Sequence, residues 1–339
     1  MKRRLPAEWA AQDGVLLAWP HAQTDWAPLL AEVESVYVAL VAAITRFERV
    51  VLIVADEAAV TARLQAAGVD RERVSLYRVP CDDTWARDFG PITVIDDGRP
   101  RLLDFTFTGW GGKFDARRDN AVTSALAAQA AFAAPVTTIA LILEGGGIES
   151  DGAGTLLTTA ECLLNPNRNA RLDRAAIEAE LRRHFGVQRV LWLENGGLAG
   201  DDTDSHIDTL ARFAPDDTIV YQACQDAGDE NFAALQAMAA ELQALRRSDG
   251  RPYRLLALPW PRPCYDGDQR LPATYANFLV INGAVLAPTY NDPADAAALS
   301  VIGQAFPGRE VIGIDCRPLI RQHGSLHCVT MQLPQGVLR

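Results

Sequence analysis

The sequence predicts an α/β protein built as a closed ring of five ββαβ modules. Three observations lead there. Paired apolar runs broken by turn chemistry recur five times, a helix-like stretch follows each pair, and a short apolar run ends each unit. A doubly wound parallel sheet is the rival architecture, but it calls for single strands between helices. The units differ in sequence, so the repeat is one of elements and not of residues.

The first unit takes VLLAWPHAQTDW from Val15 as its paired run, LLAEVESVYVALVAAITRF from Leu29 as its helix and RVVLIVAD from Arg49 as its closing strand. A further helical segment, DEAAVTARLQAAG, lengthens it. The second unit runs ITVIDDGRPRLLDF from Ile92, the alanine-rich NAVTSALAAQAAFAA from Asn120, then VTTIALIL from Val136. The third has TLLTTAECLLN from Thr155, DRAAIEAELRRHF from Asp173 and VQRVLWL from Val187. In the fourth, TLARFAPDDTIVYQ from Thr209 leads to FAALQAMAAELQALRR from Phe232 and YRLLALPW from Tyr253. The fifth opens with NFLVINGAVLAP from Asn277, whose Asn282-Gly283 pair is the commonest two-residue hairpin signal, and continues through DPADAAALSVIGQAF from Asp292 to REVIGIDC from Arg309. Modules of this size cannot bury their own hydrophobic faces, so residues 1–339 are expected to close into a single domain.

Composition narrows the partners. With 32 basic residues against 43 acids the formal charge is −11, and no run of lysine and arginine stands out. That disfavours nucleic acid and anionic membrane and favours a small cationic ligand. Six cysteines lie far apart without a CxxC pair, so they read as reduced thiols. The MKRRLPAEW start lacks the apolar stretch of a secretory signal, and no uninterrupted apolar run approaches the roughly 20 residues of a membrane span. A cytoplasmic protein is expected. A homo-oligomer is left open.

In a ring of modules the natural site is the centre, fed by strand ends from several units. The stretch GDDTDSHIDTLARF sets four acids around His206; read as strand, SHIDT directs His206 and Asp208 to one face, while read as loop its acids simply cap a turn. Asp88 in CDDTWARDFGP stands before Gly90-Pro91, as a site residue, a turn former or a partner of Arg87. Glu144 in LEGGGIESDGAGT ends a β-like run where glycines let the backbone bend. The run has no P-loop lysine, so phosphate binding fits poorly. His323 and His327 are four apart in HGSLHC, but the helix and glutamate of a zinc motif are missing. Cys328 reads as a buried small hydrophobe or as a nucleophile.

Taken in order, LPAEWAAQDGVLLAWP, TWARDFGP, EGGGIESDGAGTLLTTAECLLNPNRN, DDTDSHID and GSLHCVTMQ resemble the agmatine deiminase branch of the guanidino-group-modifying enzymes, which also includes bacterial peptidylarginine deiminases and arginine deiminases. The resemblance covers nearly the whole chain. It implies a five-bladed α/β propeller with pseudo-fivefold symmetry. It also implies a nucleophile at Cys328, a general acid/base at His206, guanidinium-gripping carboxylates at Asp88 and Asp208, a glutamate at Glu144 that orients the imidazole, and an aromatic lid at Trp85. Asp204, beside the histidine, joins the expected substrate contacts. This chain has HGSLHC where relatives often show GGNIHC, Ser205 where they often have glycine, and WARD in place of WFRD. Those positions flank the reacting groups and bear on the substrate's tail.

The implied activity is hydrolysis of a C–N bond in a linear amidine, agmatine plus water giving N-carbamoylputrescine and ammonia through a covalent cysteine intermediate, with neither metal nor organic cofactor. Arginine, peptidylarginine or another guanidine is the alternative substrate. A guanidine- or polyamine-binding propeller without catalysis is the reading from a different class. A guanidinium is planar and cationic with five N–H donors in a fork, which two carboxylates match.

Overall fold

The computed structural model describes residues 3–339; Met1 and Lys2, the start of the basic MKRR run, lie outside the described residues. Four sheets repeat one pattern, in which a hairpin's second strand pairs in parallel with the strand that follows a helix. They are Ile92–Asp96, Arg99–Thr106 and Val136–Ile142; Ile148–Ser150, Thr155–Thr159 and Arg189–Leu193; Ala211–Ala214, Thr218–Gln222 and Arg254–Leu258; and Leu279–Ile281, Ala284–Thr289 and Glu310–Asp315. The helices Val122–Ala128, Arg174–Phe185, Phe232–Ala244 and Asp295–Ala305 make the four crossovers. The fold is mixed α/β, made of several small sheets, with no closed barrel among the described residues.

Local chemistry explains the element ends. Asp97 and Gly98, the two residues between the paired Asp96 and Arg99, adopt φ of 48° and 81°, the left-handed turn whose twist matches that of paired strands, while Asp216 and Asp217, at 57° and 55°, end the three-residue loop between Ala214 and Thr218. The Arg174–Phe185 helix starts where the Asp173 carboxylate accepts the Ala176 N–H, and it stops at Gly186, whose φ of 69° suits glycine. Helix Leu30–Ile44 buries Val33, Tyr37, Leu40, Val41 and Ile44 along one stripe. The stretch Ala27–Ile44, at 18 residues and interrupted by Glu32 and Glu34, is long and apolar enough to cross a membrane by length and composition, yet its apolar stripe is packed inside the protein.

Three sequence expectations need correction. VLLAWPHAQTDW is not a hairpin: Gln12–Ala18 is one strand, Pro20 offers no donor, and His21 to Ala27 fold into successive turns. Its antiparallel partner is Thr330–Pro334 from the far end of the chain, and Arg49–Val54 with Val74–Arg78 completes that four-stranded sheet. TLLTTAECLLN contributes only the hairpin's second strand, because Thr159 caps the short helix Ala160–Leu163 with its hydroxyl. SHIDT is not strand either; Ile207–Thr209 is a 3₁₀ turn that precedes the Ala211–Ala214 strand.

Candidate active site

Connecting segments from four sheets meet at one buried point. Asp88 sits on the short helix Ala86–Phe89, Glu144 ends the segment after Val136–Ile142, His206 and Asp208 flank the start of the 3₁₀ turn, and Cys328 stands two residues before Thr330–Pro334. Glu144, His206 and Asp208 are 0% exposed, Asp88 and Cys328 4%. Gly146 shows how closely they converge, since a Cβ there would lie 2.6 Å from His206 Nδ1, 2.9 Å from Asp88 Oδ1 and 3.2 Å from Asp208 Oδ2. Glycine is needed here for space, which the sequence alone did not reveal.

Asp88, Glu144 and Cys328 are each held from outside the cluster. The Gly146 N–H donates to Asp88 Oδ1 and Trp110 Nε1 to Asp88 Oδ2, both at 3.0 Å. Arg168 Nε donates to Glu144 Oε2 at 2.8 Å. Asn277 Oδ1 lies 3.4 Å from Cys328 Sγ and accepts the His327 N–H at 2.8 Å. The His206 ring lies between Asp88, 3.7 Å from Nδ1, and Glu144, 3.6 Å from Nε2. Four buried atoms, His206 Nδ1 and Nε2, Glu144 Oε1 and Asp208 Oδ1, have no hydrogen-bond partner within the protein. Orphaned polar atoms are rare in interiors and costly unless a ligand or water meets them.

The electrostatics follow from this packing. Burial would push His206 down, but Asp88, the Cys162 thiol and Glu144 around it raise it well above an ordinary imidazole. It rests as the imidazolium. Burial, reinforced by Asp208 and Asp88, pushes the Cys328 thiol up, so the resting sulfur is protonated. Burial raises Asp88 to about 6 against the opposing charge of His206. Asp208 is held below the usual carboxylate range despite burial, through its hydrogen bond from His327 and the charges of His327, His206 and Arg212.

A pocket opens above Asp88 and Cys328. Trp85, Trp110 and Phe114 wall it, and Asp25, Asp83 and Asp202 stand among its lining residues. Trp85 forms a buried wall stacked near Trp26, with ring centroids 5.6 Å apart. Asp204, expected among the substrate contacts, accepts at Oδ2 from Arg168 Nη1 at 2.5 Å and at Oδ1 from Lys113 Nζ at 2.8 Å. His323 and His327 point apart, Nδ1 of His323 to the Gly200 carbonyl and the His327 ring to Asp208 and Glu8. The donors that could hold a metal among the described residues are instead one each from Glu144, Cys162 and His206, all within 4.8 Å of one another.

Reading the sequence missed Trp110, Arg168, Asn277 and Cys162. Arg168 had a signal, a lone arginine in NPNRN directly after a short helix. Asn277 was read only as the first residue of a hairpin, and nothing in ATYANF marks it further.

The Porphyromonas-type peptidyl-arginine deiminase model matches residues 4–334. This chain belongs to that family. The agmatine deiminase of Stutzerimonas stutzeri (strain A1501) is 36% identical over 359 residues, covering 99% of this chain and 96% of that one. A candidate arginine deiminase from Porphyromonas gingivalis superposes with a TM-score of 0.95 at 54% identity, each chain covered over 100% of its length. Another family structure, a cysteine-to-serine variant of the C. jejuni agmatine deiminase with substrate bound, gives a TM-score of 0.92 at 39% identity, with 99% of this chain and 97% of that one covered.

Proposed function

We propose that this chain hydrolyses agmatine to N-carbamoylputrescine and ammonia, as one catalytic domain with five of its six sheets arranged as blades about the site. The observation that carries the reading is the convergence of a thiol, an imidazolium and two carboxylates on one buried point beneath an aromatic pocket. The guanidinium's N–H groups meet Asp88 and Asp208, and the central carbon faces Cys328. Bringing in that cation offsets the negative surroundings that keep the thiol protonated. The sulfur bonds to the central carbon and its proton is released. A C–N bond breaks, and the departing nitrogen takes a proton from the His206 imidazolium and leaves as ammonia. What remains is an S-alkylthiouronium on Cys328. Neutral His206 then removes a proton from water, whose oxygen attacks the same carbon. As the C–S bond breaks the sulfur takes the remaining hydroxyl proton, so the urea product departs with thiol and imidazolium restored, and the proton released to solvent in the first half is taken up by the ammonia. Glu144, fixed by Arg168, orients the imidazole. The whole sequence runs on side chains of the protein.

The acidic pocket supports agmatine's second cation, because Asp25, Asp83 and Asp202 would repel the carboxylate of free arginine. Arginine or peptidylarginine is the alternative, favoured by the family's name and by the P. gingivalis neighbour. An ammonia-release assay over agmatine, arginine and a blocked arginine ester separates them, with agmatine expected to give the largest kcat/KM. Cys328→Ser is expected to abolish release while still binding the guanidine. A serine variant that turns over like the parent ends the covalent reading. The cytoplasm suits a protein with free buried thiols.

A further inference from the structure

Behind Asp208 runs a line of buried charges that no step of the reaction uses. His327 places Nδ1 2.7 Å from Asp208 Oδ2 and Nε2 2.7 Å from Glu8 Oε2. Arg212 donates from Nη2 to the same Glu8 oxygen at 2.6 Å, and the Val280 N–H donates to Glu8 Oε1 at 2.7 Å. All four side chains are interior, with Glu8 6% exposed, Arg212 and His327 1%, and Asp208 0%. An imidazole set between two carboxylates donates to both only with a hydrogen on each nitrogen. Asp208 Oδ2 is then occupied. The oxygen left over is Oδ1, which is buried without a partner among the described residues, in a carboxylate that converges with Asp88 and His206 on Gly146.

We propose that Glu8 and His327 are positioning residues for guanidinium capture: Arg212 clamps Glu8, Glu8 holds His327, and His327 locks the Asp208 carboxylate so that Oδ1 alone meets the substrate. The inference rests on the guanidine reading above. A carboxylate anchored through one oxygen by a fixed imidazole N–H cannot swing about its terminal bond, and small misplacements of a gripping group are costly in capture. The anchor comes from distant sequence, 319 residues from His327, which ties the N-terminal segment to the active centre.

A purely structural network predicts something different. Losing it would lower the melting temperature and leave substrate affinity and its pH dependence alone. The charged and titratable groups facing Asp208 are His327, His206, Arg212, Arg87, Asp88 and Cys328. Of these, His327 alone donates to its carboxylate, so weakening that donor moves the acid-side fall of kcat/KM to higher pH.

The test is steady-state kinetics on agmatine across pH for the wild type, Glu8→Gln, His327→Gln and Glu8→Asp, with calorimetric binding of an unreactive alkylguanidine. Both glutamine variants are expected to raise KM and Kd by about tenfold or more, with a smaller loss in kcat, and to shift the acid limb upward. Glu8→Asp should recover part of the loss. Variants that bind and titrate like the wild type overturn the proposal, whatever their melting temperatures. If neither glutamine variant folds, the wild type decides by nitrogen NMR of its histidines. His327 should then show two hydrogen-bonded ring N–H groups that respond to guanidine binding, and a single N–H there overturns the proposal. A wild type inactive on every guanidine ends the functional reading instead, whereas an active wild type with indifferent variants ends this inference alone.

Discussion

A pair of alkylating reagents of equal size reads the charge of the pocket directly. Haloacetamidine is cationic and shaped like a guanidine, and haloacetamide is neutral. Both react with a thiol, and their intrinsic ratio is measured on a free thiol and divided out. The Asp88 and Asp208 side chains are 2% and 0% exposed, so little solvent screens them. At an effective dielectric near 20 each opposite-charge contact at about 4 Å is worth roughly 4 kcal/mol, and the His206 imidazolium cancels about one of the two. If desolvation of the reagent leaves a quarter of the remaining 4 kcal/mol, the amidinium is favoured by roughly 1 kcal/mol, about fivefold in rate. The ratio of the two rates is independent of the thiolate fraction. It should therefore fall on acidification through about 6, where Asp88 takes up a proton. Asp88→Asn should lower the ratio at neutral pH and remove this dependence. Peptide mapping should place the label on Cys328. Equal corrected rates for the two reagents, or a label on Cys162 or another thiol, would refute the convergence of Asp88 and Asp208 on this sulfur.

Three further outcomes are expected. Butylguanidine, which lacks the primary amine, should show a kcat/KM about tenfold or more below that of agmatine, and Asp83→Asn should narrow the gap; equal values would exclude an ammonium subsite in the pocket. Arg168→Gln leaves Glu144 and Asp204 without their guanidinium, and a fully buried pair broken on one side should cost about 3 to 5 kcal/mol in denaturant unfolding. A loss below about 1 kcal/mol would show that the pair is not structural. Burial raises Glu48 and Asp119 to about 7, well above their unfolded values, so the folded chain binds more protons than the unfolded one between about pH 4 and 7. Stability from these two groups is present at low pH and lost as pH rises through 7, and the melting temperature should be lower at pH 8 than at pH 5.5. The reverse order would show that depressed carboxylates elsewhere dominate.

The repeat was legible because each helix and closing strand carries its own periodicity. Arg174–Phe185 and Glu310–Asp315 lie where their apolar spacing put them. What could not be read was pairing between distant strands. Met331 and its neighbours form a short apolar run like any other, and nothing local states that their partner lies at Gln12–Ala18. In the site, Asp88, Glu144, His206, Asp208 and Cys328 were visible through motif resemblance, since each sits in a segment rich in glycine, acid or histidine. The supporting residues were not. Glu8 looks like an ordinary helix or loop acid in PAEW, and Arg212 is one charge inside the apolar run LARFA, where burial beside two carboxylates is what makes it tolerable. Nor could the sequence say that Asp204, two residues before His206, pairs with Arg168 and Lys113.

The pairing of Thr330–Pro334 with Gln12–Ala18 also bears on how the enzyme comes into being at the ribosome. Cys328, the nucleophile proposed above, and the strand that seats it are made long after Glu8 and the receiving strand. Earlier modules can form their hairpins and helices during synthesis, because those contacts are local. The candidate site cannot, since Thr330–Pro334 must be made before it can close against Gln12–Ala18. On the reading proposed above, a nascent or truncated chain ending before this segment carries the acids and the imidazole but not Cys328, so it would be inert toward free guanidines.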